Sequence, residues 1–107
     1  MANPWAGEVA LVIDGERRVM KLTLGALAEL EESLETGSLV ALVERFEGGD
    51  FSTRDVLALI VAGLRGGGWR GSAGDLLAAE IAGGPVAAAQ AAGQLLARAF
   101  GPAEAEQ

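Results

Sequence analysis

Carboxylates are the only side chains in this sequence numerous enough to suggest chemistry. The chain has 15 Asp and Glu residues but no His and no Cys. The common zinc, haem and iron–sulfur sites therefore lack their usual ligands, and no serine has a histidine to activate it. The acids between Glu29 and Asp50 show no EF-hand-like alternation around a central glycine. We therefore expect no catalytic, cofactor or metal site.

Two interpretations of this acidic segment remain open. Helical spacing places Glu29, Glu32 and Glu35 on one face, which predicts a solvated surface. The same surface would suit docking of a basic partner, since complementary charge favours association. The segment carries most of the formal net charge of −7, and one Lys with seven scattered Arg forms no basic patch. We therefore expect neither a nucleic-acid partner nor an anionic membrane.

A glycine-rich segment offers the only phosphate-loop pattern. Gly66, Gly68 and Gly71 match the spelling of a dinucleotide-binding loop, but that fingerprint needs a strand before the glycines and a helix directly after them. Here a helix precedes and no strand follows, so we predict a flexible connection between helices. Within it, Trp69 and Arg70 could form a lid on the core or could anchor a partner, a role in which Trp and Arg are enriched.

The elements that position these residues begin with a strand-like region at residues 8–24. An apolar run from Val9 to Ile13 is followed by Asp14-Gly15, a dipeptide typical of type I′ turns, and then by polar–apolar alternation. We predict one β-hairpin. Its apolar face must pack on the helices that follow, because two strands alone are only marginally stable.

From Thr23 onward the apolar residues recur with a helical period. The first predicted helix spans roughly residues 24–36, with Gly37 as its C-cap, and the second covers about ten residues after its N-cap Ser38. The third spans 53–65 and begins with a capping box formed by Ser52 and Asp55. The fourth and fifth span 72–81 and 85–100. The third helix is apolar around most of its circumference, which is typical of a helix enclosed by its neighbours. The fold class is therefore α+β, mostly α: an N-terminal β-hairpin followed by about five short helices in a compact bundle.

A chain of 107 residues is long enough for one domain with a modest core. We assign residues 1–107 to that domain, with the hairpin at 8–24, the helical bundle at 24–100 and a disordered tail at 101–107. The apolar runs fall short of the ~20 residues that cross a bilayer. The N-terminus lacks the pattern of a secretory signal, so we expect a cytoplasmic protein.

Several segments, taken in order, resemble a known family of small phage-tail proteins, the gene transfer agent family. The resemblance covers roughly residues 7–100, and its most specific part is the run Leu-Thr-Leu-Gly-Ala-Leu-Ala-Glu-Leu-Glu at residues 22–31. The other matching segments are residues 7–11, 39–46, 51–58 and 62–66. Residues 66–74 depart from the family pattern, since relatives are more acidic and less glycine-rich there.

The resemblance implies a non-enzymatic protein that helps to build the tail of an alphaproteobacterial phage-like particle. It would be a tail assembly chaperone in the bacterial cytoplasm that binds the tape-measure protein before tail-tube subunits polymerise around it. The alternative is a structural tail-tube or connector subunit retained in the particle. We rank it second because one hairpin offers little sheet for a tube subunit. The sequence leaves homo-oligomerisation open.

A chaperone for a long, partly apolar helix needs an apolar groove. We place this groove between the third and fifth predicted helices, because the third is apolar all round and the fifth ends in bulky side chains. The candidate partner-binding residues are Leu64, Trp69, Arg70, Leu95, Leu96 and Phe100.

Overall fold

The structure, a computed structural model, describes residues 7–34 and 38–100. Its elements are β1 (Glu8–Ile13), β2 (Glu16–Lys21), α1 (Leu24–Ser33), α2 (Leu39–Gly48), α3 (Thr53–Gly66), α4 (Ala73–Leu77) and α5 (Gly84–Phe100). The predicted fold class, a hairpin followed by five helices, is confirmed. Gly37 and the predicted tail at 101–107 lie outside the described residues.

The hairpin forms as its sequence predicts. Asp14 and Gly15 both have positive φ, at 52° and 79°, as a type I′ turn requires. The strands pair antiparallel with Val9 opposite Met20. Alternate residues of β1 and the fully buried Met20 face the core, so the hairpin gains from the helices the stability that two strands lack alone.

Helices α2 and α3 begin at the predicted capping residues Ser38 and Ser52, and α1 begins after Thr23. The Thr23 hydroxyl accepts the Ala26 N–H at 3.1 Å, and the predicted box at α3 is complete. There the Ser52 hydroxyl accepts the Asp55 N–H at 3.1 Å, and the Asp55 carboxylate accepts the Ser52 N–H at 3.0 Å. The capping box satisfies N–H donors at the start of α3 that would otherwise lack a partner.

Helix α3 lies at the centre, packed against β2, α1, α4 and α5. Its Leu59 and Ile60 are buried, which confirms the prediction of an enclosed helix. Close packing depends on Gly63, where a Cβ would lie 2.7 Å from Leu95 Cδ1 and 3.1 Å from Met20 Cβ. Because Gly63 has no Cβ, α3 can approach both α5 and the hairpin.

Two predicted helices are too long. Helix α1 ends at Ser33, whereas the sequence predicts a helix to about residue 36, and its first residue Leu24 is 85% exposed. Helix α4 ends at Leu77, whereas the sequence predicts a helix as far as Ile81. Ile81 instead forms an antiparallel bridge with Ile13, because the open edge of β1 offers backbone partners that replace those of another helical turn.

Candidate functional site

Three of the residues predicted to contact a partner are part of the core. Leu64, Leu95 and Leu96 are 1%, 0% and 4% exposed. The reason is that α5 turns its C-terminal leucines inwards, with Leu95 against Gly63 of α3. A partner could reach these side chains fully only if the helices separated, so their role in binding stays a prediction.

The other three candidates lie nearer the surface. Phe100 is 45% exposed and lines a groove between α2 and α5, together with Phe46 and Leu96. Arg70 is exposed, whereas Trp69 is half-buried and packs against the core. This position of Trp69 matches the lid, one of the two interpretations that the sequence leaves open.

The glycines that precede Trp69 make close contacts with the hairpin. Gly66 lies against the carbonyl oxygen of Lys21 and Gly67 against that of Val19, so a Cβ at either position would collide with the backbone of β2. These contacts cover an edge that a two-stranded sheet would otherwise leave open. The segment is therefore packed at its start, in place of the flexible connection predicted from the sequence.

The loop is also tied to α1 through Arg65. Its Nε lies 2.9 Å from Glu29 Oε1, and its Nη1 donates to the Gly71 carbonyl at 3.2 Å. Both side chains of the ion pair are about half exposed, at 43% and 53%. Such a pair contributes about 0–1 kcal/mol, so its main effect is on the position of the loop.

Both interpretations of the acidic segment, a solvated surface and a docking site for a basic partner, stay open. Glu31, Glu32, Glu44 and Glu47 are exposed on α1 and α2. Among residues 7–34 and 38–100, no group of three or more acids is arranged to hold a metal ion. Solvation explains these side chains without a ligand, and nothing in their geometry selects a basic partner.

A partly buried ion pair was missed by sequence reasoning. Arg45 donates from Nε and Nη2 to the two carboxylate oxygens of Asp55, each at 2.9 Å. These bonds hold the pKa of Asp55 below its usual value despite burial, and the Ser52 N–H adds to the effect. The pair joins α2 to the first turn of α3. A lone arginine among acids was the available signal, but its partner lies on another helix.

An apolar groove of about 460 Å³ opens between α3, α4 and the N-terminal half of α5. The floor of the groove is formed by α3, through Val56, Leu57 and Ile60. One wall is formed by Leu76 and Leu77 of α4, and the other by Ala88 and Ala89 of α5. The predicted location between α3 and α5 therefore does contain a groove. It lies beside the alanine-rich half of α5, however, and not beside Leu95 and Phe100.

The rim of this groove exposes large apolar side chains. Leu77 is 72% exposed and lines the groove, and Val86, next to the lining residue Pro85, is 67% exposed. Contiguous apolar surface in water favours association with an apolar partner, at roughly 25 cal/mol per Å² buried. The arrangement suits the apolar face of a helix.

Comparison with known proteins identifies a family. The family described as phage tail tube protein, GTA-gp10, matches residues 6–102. No curated protein and no solved structure matches the chain. None of the described helices is long and apolar enough to cross a membrane.

Proposed function

The chain belongs to this family of gene transfer agent tail proteins, and from that membership we propose that it is a tail assembly chaperone that binds the tape-measure protein. Membership itself implies contact with other tail proteins and suggests incorporation into a phage-like particle. The finer role rests on the groove between α3, α4 and α5. Its proposed ligand is the apolar face of a helix in the tape-measure protein, held by side chains such as Leu57 and Leu77.

The open apolar groove carries this proposal. An apolar client helix would cover Leu77 and Val86, whose exposure to water is unfavourable in the free chain. The exposed acidic residues Asp75 and Glu80 are next in sequence to the lining residues Leu76 and Ile81. We therefore expect a client segment with an apolar stripe and basic flanks, since complementary charge raises both the rate and the specificity of association.

Co-expression with the tape-measure protein, followed by pull-down, tests the proposal. Leu77→Asp should lower recovery of the tape-measure protein by roughly 10-fold or more, because one buried leucine contributes about 1.5–3 kcal/mol. Leu24→Asp is the control, since Leu24 is also a highly exposed leucine at the end of a helix but lies outside the groove. Both variants should give the circular dichroism spectrum of the wild type. Equal recovery with the two variants would contradict the assignment of the groove.

The second candidate is a structural subunit of the tail tube, which the family's description as a phage tail tube protein favours. Against it, the described residues contain a single two-stranded sheet, whereas a tube wall built from sheet would need more paired strand. Mass spectrometry of purified particles separates the two roles. Stoichiometric copies in the mature particle would favour the tube subunit, and absence from the particle would favour the chaperone.

A further inference from the structure

One wall of the groove is a segment with few attachments, residues 72–84, which we call the strap. It consists of the five-residue helix α4 and the extended piece that reaches α5. Within the strap Leu76 is the one buried side chain, and Ala79 and Ile81 are half-buried. The wall therefore has little buried apolar surface to hold it, in contrast to the floor formed by α3.

The backbone hydrogen bonds that join the strap to the hairpin lie at the turn. Asp14 N–H donates to the Glu80 carbonyl at 2.7 Å, and Ala82 N–H donates to the Val12 carbonyl at 3.0 Å. The Asp14 carboxylate also accepts the Glu80 N–H at 2.9 Å. This is a single antiparallel bridge at a strand edge, and it can break without disturbing the pairing of β1 with β2.

Glycines bound the strap at both ends. Gly71 precedes it, and Gly83 and Gly84 close it with φ of +86° and +69°. These residues lack the Cβ that restricts backbone rotation, so the chain can change direction there at low steric cost. A helix with its side chains is about 10–12 Å across, and outward movement of this wall would widen the groove of about 460 Å³ for such a helix.

We propose that the strap opens by releasing its bridge to β1, and that this opening admits the client helix to the groove. The inference rests on the proposed function for the identity of the client, while the opening itself is a property of the chain alone. In the open state the edge of β1 at Val12 and Asp14 is uncovered, and Leu76 and Ile81 become available to contact the client.

Amide hydrogen exchange of the wild-type protein tests the opening without any client. The Ala82 amide should exchange at least about 10-fold faster than the Leu11 amide, which belongs to the β1–β2 ladder, because strap opening is a local event. The Ile60 amide in α3 serves as the reference for global unfolding. If Ala82 and Leu11 exchange at equal rates, the strap does not open independently and the inference is wrong.

A disulfide between the strap and β1 tests the need for opening. Ile13 and Ile81 lie directly opposite each other in the bridge, and their own backbone groups do not hydrogen-bond to one another. In an antiparallel pair of this kind the two Cα atoms are typically about 4.5 Å apart. This separation is within the range that a disulfide can span. The chain contains no Cys, so Ile13→Cys with Ile81→Cys can form one bond only. The oxidised protein should recover at least about 10-fold less tape-measure protein than the same protein reduced.

The reduced protein is the matched control, since both forms share the substitutions. Equal recovery by the oxidised and reduced forms would show that opening is not required and would overturn the inference. If the wild type also recovers no tape-measure protein, the proposed function fails. The exchange rates of Ala82 and Leu11 then decide on their own whether the strap opens.

Discussion

Replacing Gly66 by alanine should destabilise this protein, although the same change at most helical positions stabilises. Gly66 is the last residue of α3, and a Cβ there would collide with the carbonyl oxygen of Lys21 and lie 3.3 Å from the Ala26 side chain. The carbonyl belongs to the backbone of β2, so no side-chain rotation can relieve the contact. The hairpin must instead move away from α3, which loosens the packing of Met20 against Gly63.

The magnitude follows from two opposing terms. Alanine in place of glycine in a helix gains about 0.5–1 kcal/mol, mainly because the unfolded chain has fewer conformations. Forcing an extra methyl group into a filled space costs about 1–3 kcal/mol. We therefore expect Gly66→Ala to lower the free energy of unfolding by about 1–2 kcal/mol, which is roughly 4–16 °C in melting temperature for a domain of this size.

Urea denaturation followed by circular dichroism measures this difference. Gly48→Ala is the matched control, because Gly48 is likewise the last residue of its helix but its Cβ would meet only Asp50 Oδ2, at 3.7 Å. We expect Gly48→Ala to be neutral or to stabilise by up to about 1 kcal/mol. If Gly66→Ala is as stable as Gly48→Ala, the close approach of α3 to β2 is wrong.

Further predictions concern the partly buried ion pair between Arg45 and Asp55 and the core. Asp55→Asn should lower the free energy of unfolding by about 2 kcal/mol at pH 7, because Arg45 loses its charged partner. The folded protein holds the pKa of Asp55 below its usual value of 3.8, so its contribution is complete above that value and is lost as the pH falls through the lower folded pKa. Urea titrations should therefore show the gap between wild type and variant closing below about pH 4; a gap that is constant with pH would count against the pair. Leu95→Ala should cost about 2–5 kcal/mol, since this side chain is fully buried in the core. Thermal melting checks that value, and a loss under about 1 kcal/mol would mean that the α3–α5 contact is loose.

The local elements could be predicted from the sequence because their causes lie within a few residues. The turn at Asp14-Gly15 needs two positive φ angles, and the box from Ser52 to Asp55 needs two side chains three positions apart. Such signals are complete inside one short window. The family resemblance is also a property of the sequence, and the family match over residues 6–102 confirms it.

The groove and its strap were decided by tertiary structure. Glu80 meets Asp14 across 66 positions of sequence, and Ile81, the predicted end of a helix, forms an isolated bridge with Ile13 instead. The direction of Leu95 depends on the space that Gly63 leaves on another helix. No local pattern contains these contacts, because each depends on where a distant backbone lies once the chain has packed.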